Sequence, residues 1–118
     1  MIGSGASYPA YVTPTPSANP LAVWAPATTD ARALLAAGGS SRIAATWYTY
    51  SSLTVDLTFT GTGTYQTAVY CLDWDHGGRT ETLQMLDANN KVLDTRNISN
   101  FGSGIWVVWN LSGHVQLA

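Results

Sequence analysis

Between Leu53 and Thr60 the chain alternates without interruption: Leu53, Val55, Leu57 and Phe59 are apolar, while Thr54, Asp56, Thr58 and Thr60 are polar. A period of two is the signature of a β-strand with one buried and one wet face. The pattern returns near the C-terminus, where Ile105, Val107, Trp109 and Leu111 share one face and Trp106, Val108 and Asn110 share the other. A half-buried strand needs a second layer to cover it, so these two segments imply packed sheets.

Other runs fill in the pattern. Tyr65 to Trp74 reads as a longer strand, expected at the centre of a sheet and covered on both faces because of its Val69-Tyr70-Cys71-Leu72 middle. Thr80 to Asp87 and Lys91 to Asn97 flank Ala88-Asn89-Asn90, which predicts an antiparallel hairpin. With Arg42 to Tyr50 and His114 to Leu117, about seven strands follow at the spacing of two packed antiparallel sheets. The expected fold is all-β, a two-sheet antiparallel β-sandwich of jelly-roll-like order.

Composition agrees with that reading and removes several alternatives. Ser and Thr total 25, against 12 residues of Asp, Glu, Lys and Arg, in a chain of 118 residues. The net charge of −2 gives no basic footprint for nucleic acid. No apolar run is long enough for a membrane-spanning helix, so neither nucleic acid nor membrane is an expected partner. One cysteine, Cys71, cannot form an internal disulfide, and it reads as a small core residue.

The first 29 residues carry no charge and hold all five prolines, which predicts an extended lead-in over residues 1–20 before one domain over 21–118. Asp30 is placed to cap a short helix near residues 30–37, ended by Gly38. The chain stops at Ala118 directly after an apolar strand, so an unpaired edge is expected there. That edge predicts a homo-oligomer, or pairing with flanking strands that this sequence lacks.

Polar chemistry concentrates at Asp73-Trp74-Asp75-His76-Gly77-Gly78-Arg79. Asp73 and Asp75 point the same way on an extended chain and could face one cation or one hydroxyl-rich ligand. The competing reading is a turn in which the carboxylates take backbone amides and pair with Arg79. No metal centre or other cofactor is expected; were calcium bound, Asp73 and Asp75 would be its ligands. Catalysis would have to use His76 or His114 as a base beside Asp73, Asp75 or another aspartate. Ser99, Ser103 and Ser112 are the candidate nucleophiles, and none lies in a Gly-x-Ser-x-Gly elbow. Five Trp exceed the needs of a small core. Trp74, Trp106, Tyr48 and Tyr50 are therefore expected at the surface, where aromatic rings stack on sugars, while Trp47 and Trp109 follow the inward phase of their strands.

LDWDHGGRTETLQMLD (Leu72 to Asp87), LDTRNISNFGSGIWVVWNLSGHVQL (Leu93 to Leu117) and WAPATTDARALLAAGGSSRIAATWY (Trp24 to Tyr48) resemble a family of β-sandwich accessory domains of bacterial secreted multidomain proteins. The resemblance spans roughly residues 8 to 118 and implies a carbohydrate-binding-module-like domain, extracellular or secreted, truncated at both ends. The function expected from residues and resemblance together is non-catalytic recognition of carbohydrate by Trp74, Trp106, Tyr48 and Tyr50, assisted by Asp73, Asp75, His76 and Arg79. A small esterase-like or glycosidase-like hydrolase and a self-assembling structural domain are the alternatives.

Overall fold

The computed structural model describes residues 7–17 and 21–118, so the expected lead-in over 1–20 lies outside the described residues at 1–6 and 18–20. The described residues form strands and no helix, in antiparallel sheets. Ten strands follow in order: β1 (Val12–Pro16), β2 (Leu21–Thr28), β3 (Leu34–Leu35), β4 (Arg42–Trp47), β5 (Val55–Phe59), β6 (Tyr65–Cys71), β7 (Thr80–Asp87), β8 (Val92–Ser99), β9 (Ile105–Leu111) and β10 (His114–Leu117). They make a five-stranded sheet ordered β1-β5-β10-β7-β8, a three-stranded sheet β2-β4-β3 and a ribbon β6-β9.

The alternation builds the core directly. Val55, Leu57 and Phe59 of β5, Val115 of β10 and Met85 of β7 project from one face of the large sheet, and Trp109 and Leu111 project toward them from the ribbon. Trp47 closes this cluster from the end of β4. A smaller cluster of Cys71, Ile98 and Phe101 continues it toward the loop after β6. The architecture is therefore sandwich-like, with facing sheets meeting through their apolar sides.

Three sequence expectations are corrected. The helix near residues 30–37 is absent: the Asp30 carboxylate accepts from the Arg32 N–H (2.9 Å) and its carbonyl from the Ala33 N–H (3.1 Å), closing a single turn. Leu34 and Leu35 then pair with Ile43 and Arg42, because strand pairing buries Ala33 and Ile43 where a short isolated helix would leave them half wet. The reversal carries Gly38 at φ 70°, a left-handed position that suits glycine. Secondly, β6 is not the centre of a sheet; it pairs with β9, and Gln66 and Ala68 face solvent. Thirdly, the last strand is no free edge. β10 lies between β5 and β7, and Ala118 exchanges hydrogen bonds with Gln84 at 2.7 and 2.8 Å.

The Pro-rich segment supplies the sheet's true margin. Val12–Pro16 pairs with β5, and Pro14 and Pro16 are tolerated because β1 is an edge strand, with no second neighbour among the described residues requiring its amides. The predicted hairpin of Thr80 to Asp87 with the following strand is present, turned at Asn90 with φ 62°.

Met85 is 1% exposed at the centre of the main cluster, so Met85→Ala should cost about 2–5 kcal/mol. Urea unfolding followed by tryptophan fluorescence reads this as a lower midpoint at unchanged slope; a loss below about 1 kcal/mol would mean that the two sheets do not close there.

Candidate functional site

The loop after β6 is organised by one carboxylate. Asp73 follows directly on the ribbon, its N–H donating to the Phe101 carbonyl at 3.1 Å. Its side chain is nearly enclosed and accepts from the N–H groups of Gly77 (3.2 Å), Gly78 (2.8 Å) and Arg79 (3.3 Å) and from the Arg79 guanidinium. The chain bends back by placing His76 at φ 53° and Gly78 at φ 70°. Arg79 also meets both oxygens of Asp75, its Nη2 donating at 3.1 Å.

Asp73 and Asp75 thus converge on one positive charge, Arg79, through a turn rather than along an extended strand, because β6 ends at Cys71. Burial pushes the Asp73 carboxyl upward, but the hydrogen bonds from Arg79, Gly77 and Gly78 outweigh it and hold the group below its ordinary value. The Arg79 hydrogen bond brings Asp75 down to about 2. Arg79 itself is raised by the same two partners, Asp75 first.

Arg32 completes the site, and the sequence reading missed it because it was assigned to a helix. Its Nη2 and Nε donate to Asp30 at 2.8 and 3.2 Å. Its Nη1 reaches the carbonyls of Gly102 (2.9 Å) and Trp74 (3.3 Å) and lies 3.0 Å from His76 Nε2. A guanidinium only donates, so His76 meets it with the lone pair of Nε2. The same guanidinium carbon lies 4.7 Å from the Trp74 ring centroid. Tyr70 donates its hydroxyl to the Arg32 carbonyl at 2.7 Å. One arginine therefore ties the turn at Asp30, the loop at Trp74 to His76 and the segment at Gly102. A Cβ at Gly102 would displace the His76 ring, and one at Gly104, whose φ is 80°, would displace the Tyr70 hydroxyl. The Asp30-x-Arg32 spacing and the Gly102-Ser103-Gly104 pair were the signals that could have found this hub.

The remaining predicted residues separate into groups. Trp106 is 56% exposed on the outward face of the ribbon, its ring 4.8 Å from Tyr70. Tyr48 and the fully exposed Tyr50 meet edge to face at 5.9 Å. Trp74 is half-buried under Arg32. Trp109 is buried and donates its Nε1–H to Asp94 at 2.8 Å, and Trp47 packs on the core.

Among the described residues the two histidines lie apart, each with its own partner. His114 lies on the large sheet, its Nε2 2.8 Å from Asp56, which also accepts from Gln116 at 2.9 Å. These two hydrogen bonds, His114 first, hold Asp56 below its ordinary value. The hydrogen bonds of His76 and His114 go to Arg32 and Asp56, not to a serine hydroxyl. Burial pushes the Cys71 thiol up to about 12, which disfavours the free thiolate near neutral pH. Among the described residues no group of three or more His, Cys, Asp or Glu is placed to hold a metal ion. An open depression lined by Ala27, Thr28, Thr29, Ser40, Ser41 and Arg42 lies at the turn end of the three-stranded sheet. Arg42 is anchored there by donating to the Ala33 carbonyl at 2.6 Å.

Comparison of the chain with protein-family models, with curated proteins and with solved structures finds no match.

Asp73 and Asp75 both titrate below the ordinary carboxylate range when folded, so the stability they contribute is complete above about pH 4 and is lost as the pH falls toward about 2. Denaturant midpoints measured across that interval should fall, and Asp75→Asn should flatten the slope. An equal slope in wild type and variant would show that the Arg79 pair does not form.

Proposed function

We propose that the chain is a non-catalytic binding module that recognises carbohydrate through exposed aromatic side chains, on a sandwich whose strand order is jelly-roll-like and in an extracellular or secreted setting. The observation that carries this reading is Trp106. More than half of its surface is open, and its ring lies beside that of Tyr70 at a 39° tilt on the two-stranded ribbon. An indole that serves only the core is turned inward, as Trp109 is. The outward face continues along the ribbon through the pairs Ala68 with Val108 and Gln66 with Asn110. At about 3.3 Å per residue this places amide groups roughly 13 Å from Trp106, an apolar platform followed by hydrogen-bonding partners. None of these six side chains is charged, which favours a neutral glycan over an acidic one.

The Asp73 to Arg79 loop supports the platform in this reading more than it contacts ligand. Asp73 and Arg79 are committed to each other, and Arg32 holds Trp74 and His76. Arg79 supplies the positive charge between the two aspartates, so calcium is not required. The hydrolase alternative has one geometric support, the contact of His114 with Asp56, and among the described residues no hydroxyl is hydrogen-bonded to that pair.

Affinity electrophoresis through neutral polysaccharides should retard the protein, and Trp106→Ala should abolish the retardation with an unchanged far-ultraviolet circular dichroism spectrum. Mobility unaltered by any polysaccharide in a folded sample would overturn the reading. Addition of EDTA should leave the retardation intact; its loss would instead assign calcium a role at Asp73 and Asp75.

A further inference from the structure

The five-stranded sheet ends in two strands of opposite character. β1 is five residues long and carries Pro14 and Pro16, which have no N–H to offer an incoming strand. β8 is eight residues long, contains no proline and, among the described residues, pairs with β7 on one side alone. Val92 and Leu93 on it are 45% and 55% exposed. The ladder with β7 is shifted between Met85 and Leu86, so the regular part of β8 begins at Asp94.

We infer that β8 pairs antiparallel with β8 of a second copy of this chain, about a twofold axis through Thr95, joining two five-stranded sheets into one. Symmetry limits the registers, and charge favours this one, the register that pairs Asp94 with Arg96 at both ends. A twofold axis perpendicular to the sheet keeps the two core faces on the same side and must pass through a residue; the half-step registers put one copy's apolar face in line with the other's polar face. An axis through Asp94 opposes two carboxylates, and an axis through Arg96 opposes two guanidinium groups. Through Thr95, Asp94 faces the partner's Arg96, Arg96 faces the partner's Asp94, and Thr95 faces the partner's Thr95, all favourable cross-strand pairs. Within one chain Arg96 already donates its Nε–H to Asp94 at 2.7 Å, so the two side chains share a face and are extended toward the same region. Leu93, on the same exposed margin, comes beside the partner's Asn97. The net charge of −2 opposes association only weakly.

This pairing is independent of any glycan. Sedimentation velocity over a range of micromolar concentrations should show a monomer–dimer equilibrium, and Arg96→Asp, which opposes carboxylates at both ends of the pair, should weaken it about tenfold or more. That variant also gives up the Arg96 bond to Asp94 within one chain, while the bond from Trp109 to Asp94 involves no substituted residue. Thr95→Cys should give a disulfide-linked dimer on mild oxidation, because Cys71 is buried and the axis sets the new thiols opposite each other, whereas Leu93→Cys should not. A folded wild-type protein that stays monomeric at every concentration, an Arg96→Asp dimer as tight as wild type, or equal cross-linking of the two cysteine variants would overturn the proposal.

Discussion

The structure depends on one constraint, the burial of alternate side chains between the large sheet and the β6-β9 ribbon. Val55, Leu57 and Phe59 cannot be hidden by their own strand, and neither can Trp109 and Leu111 by theirs. Each set is the other's cover. Registers across β5, β10 and β7 follow from it, because a slip by one residue would expose the whole apolar row and bury Asp56, Gln116 and His114. The outward polar row is what remains after that choice.

Charge is used on this scaffold as internal fastening. Ten per cent charged residues leave few ions to distribute, and most acidic groups are already spoken for. Asp30 holds Arg32, Asp73 and Asp75 hold Arg79, Asp94 holds Arg96, and Asp56 faces His114. Exposed pairs of this type contribute little each, but the Asp73 cluster differs because its carboxylate is enclosed and satisfies three backbone amides that the turn would otherwise strand. The consequence is a loop shaped by its own charges, next to a ribbon face that carries none. That contrast is why the proposed recognition surface is the aromatic platform at Trp106 and Tyr70 rather than the more conspicuous cluster of ionisable groups.

Legibility was uneven along the chain, for physical reasons. From Arg42 onward the strands were readable because the period of two is strong there, and the faces assigned on β9 match the observed burial of Trp109 and Leu111 against exposed Trp106 and Val108. The three strands that went unread all lie before residue 36. Prolines hide the alternation in β1, a register shift breaks it in β2, and the Ala- and Leu-rich stretch through Leu34 and Leu35 carries helix-favouring side chains in a strand. The convergence of Asp73 and Asp75 on Arg79 was legible from a spacing of a few residues. Arg32, acting across 44 residues on His76 and 70 on Gly102, was not.

The sequence by itself determined that this chain builds antiparallel sheets with one apolar face, since that is decided by neighbours two residues apart. It also determined the hairpin of β7 with β8 and the turn at Asp73, which are closed by local geometry. Only the tertiary structure decided that the last strand lies inside the large sheet, that β6 is half-exposed, and that Arg32 fastens the site. Those outcomes depend on which distant segments compete for the same hydrogen-bonding edge and the same buried volume, and local pattern carries no record of that competition.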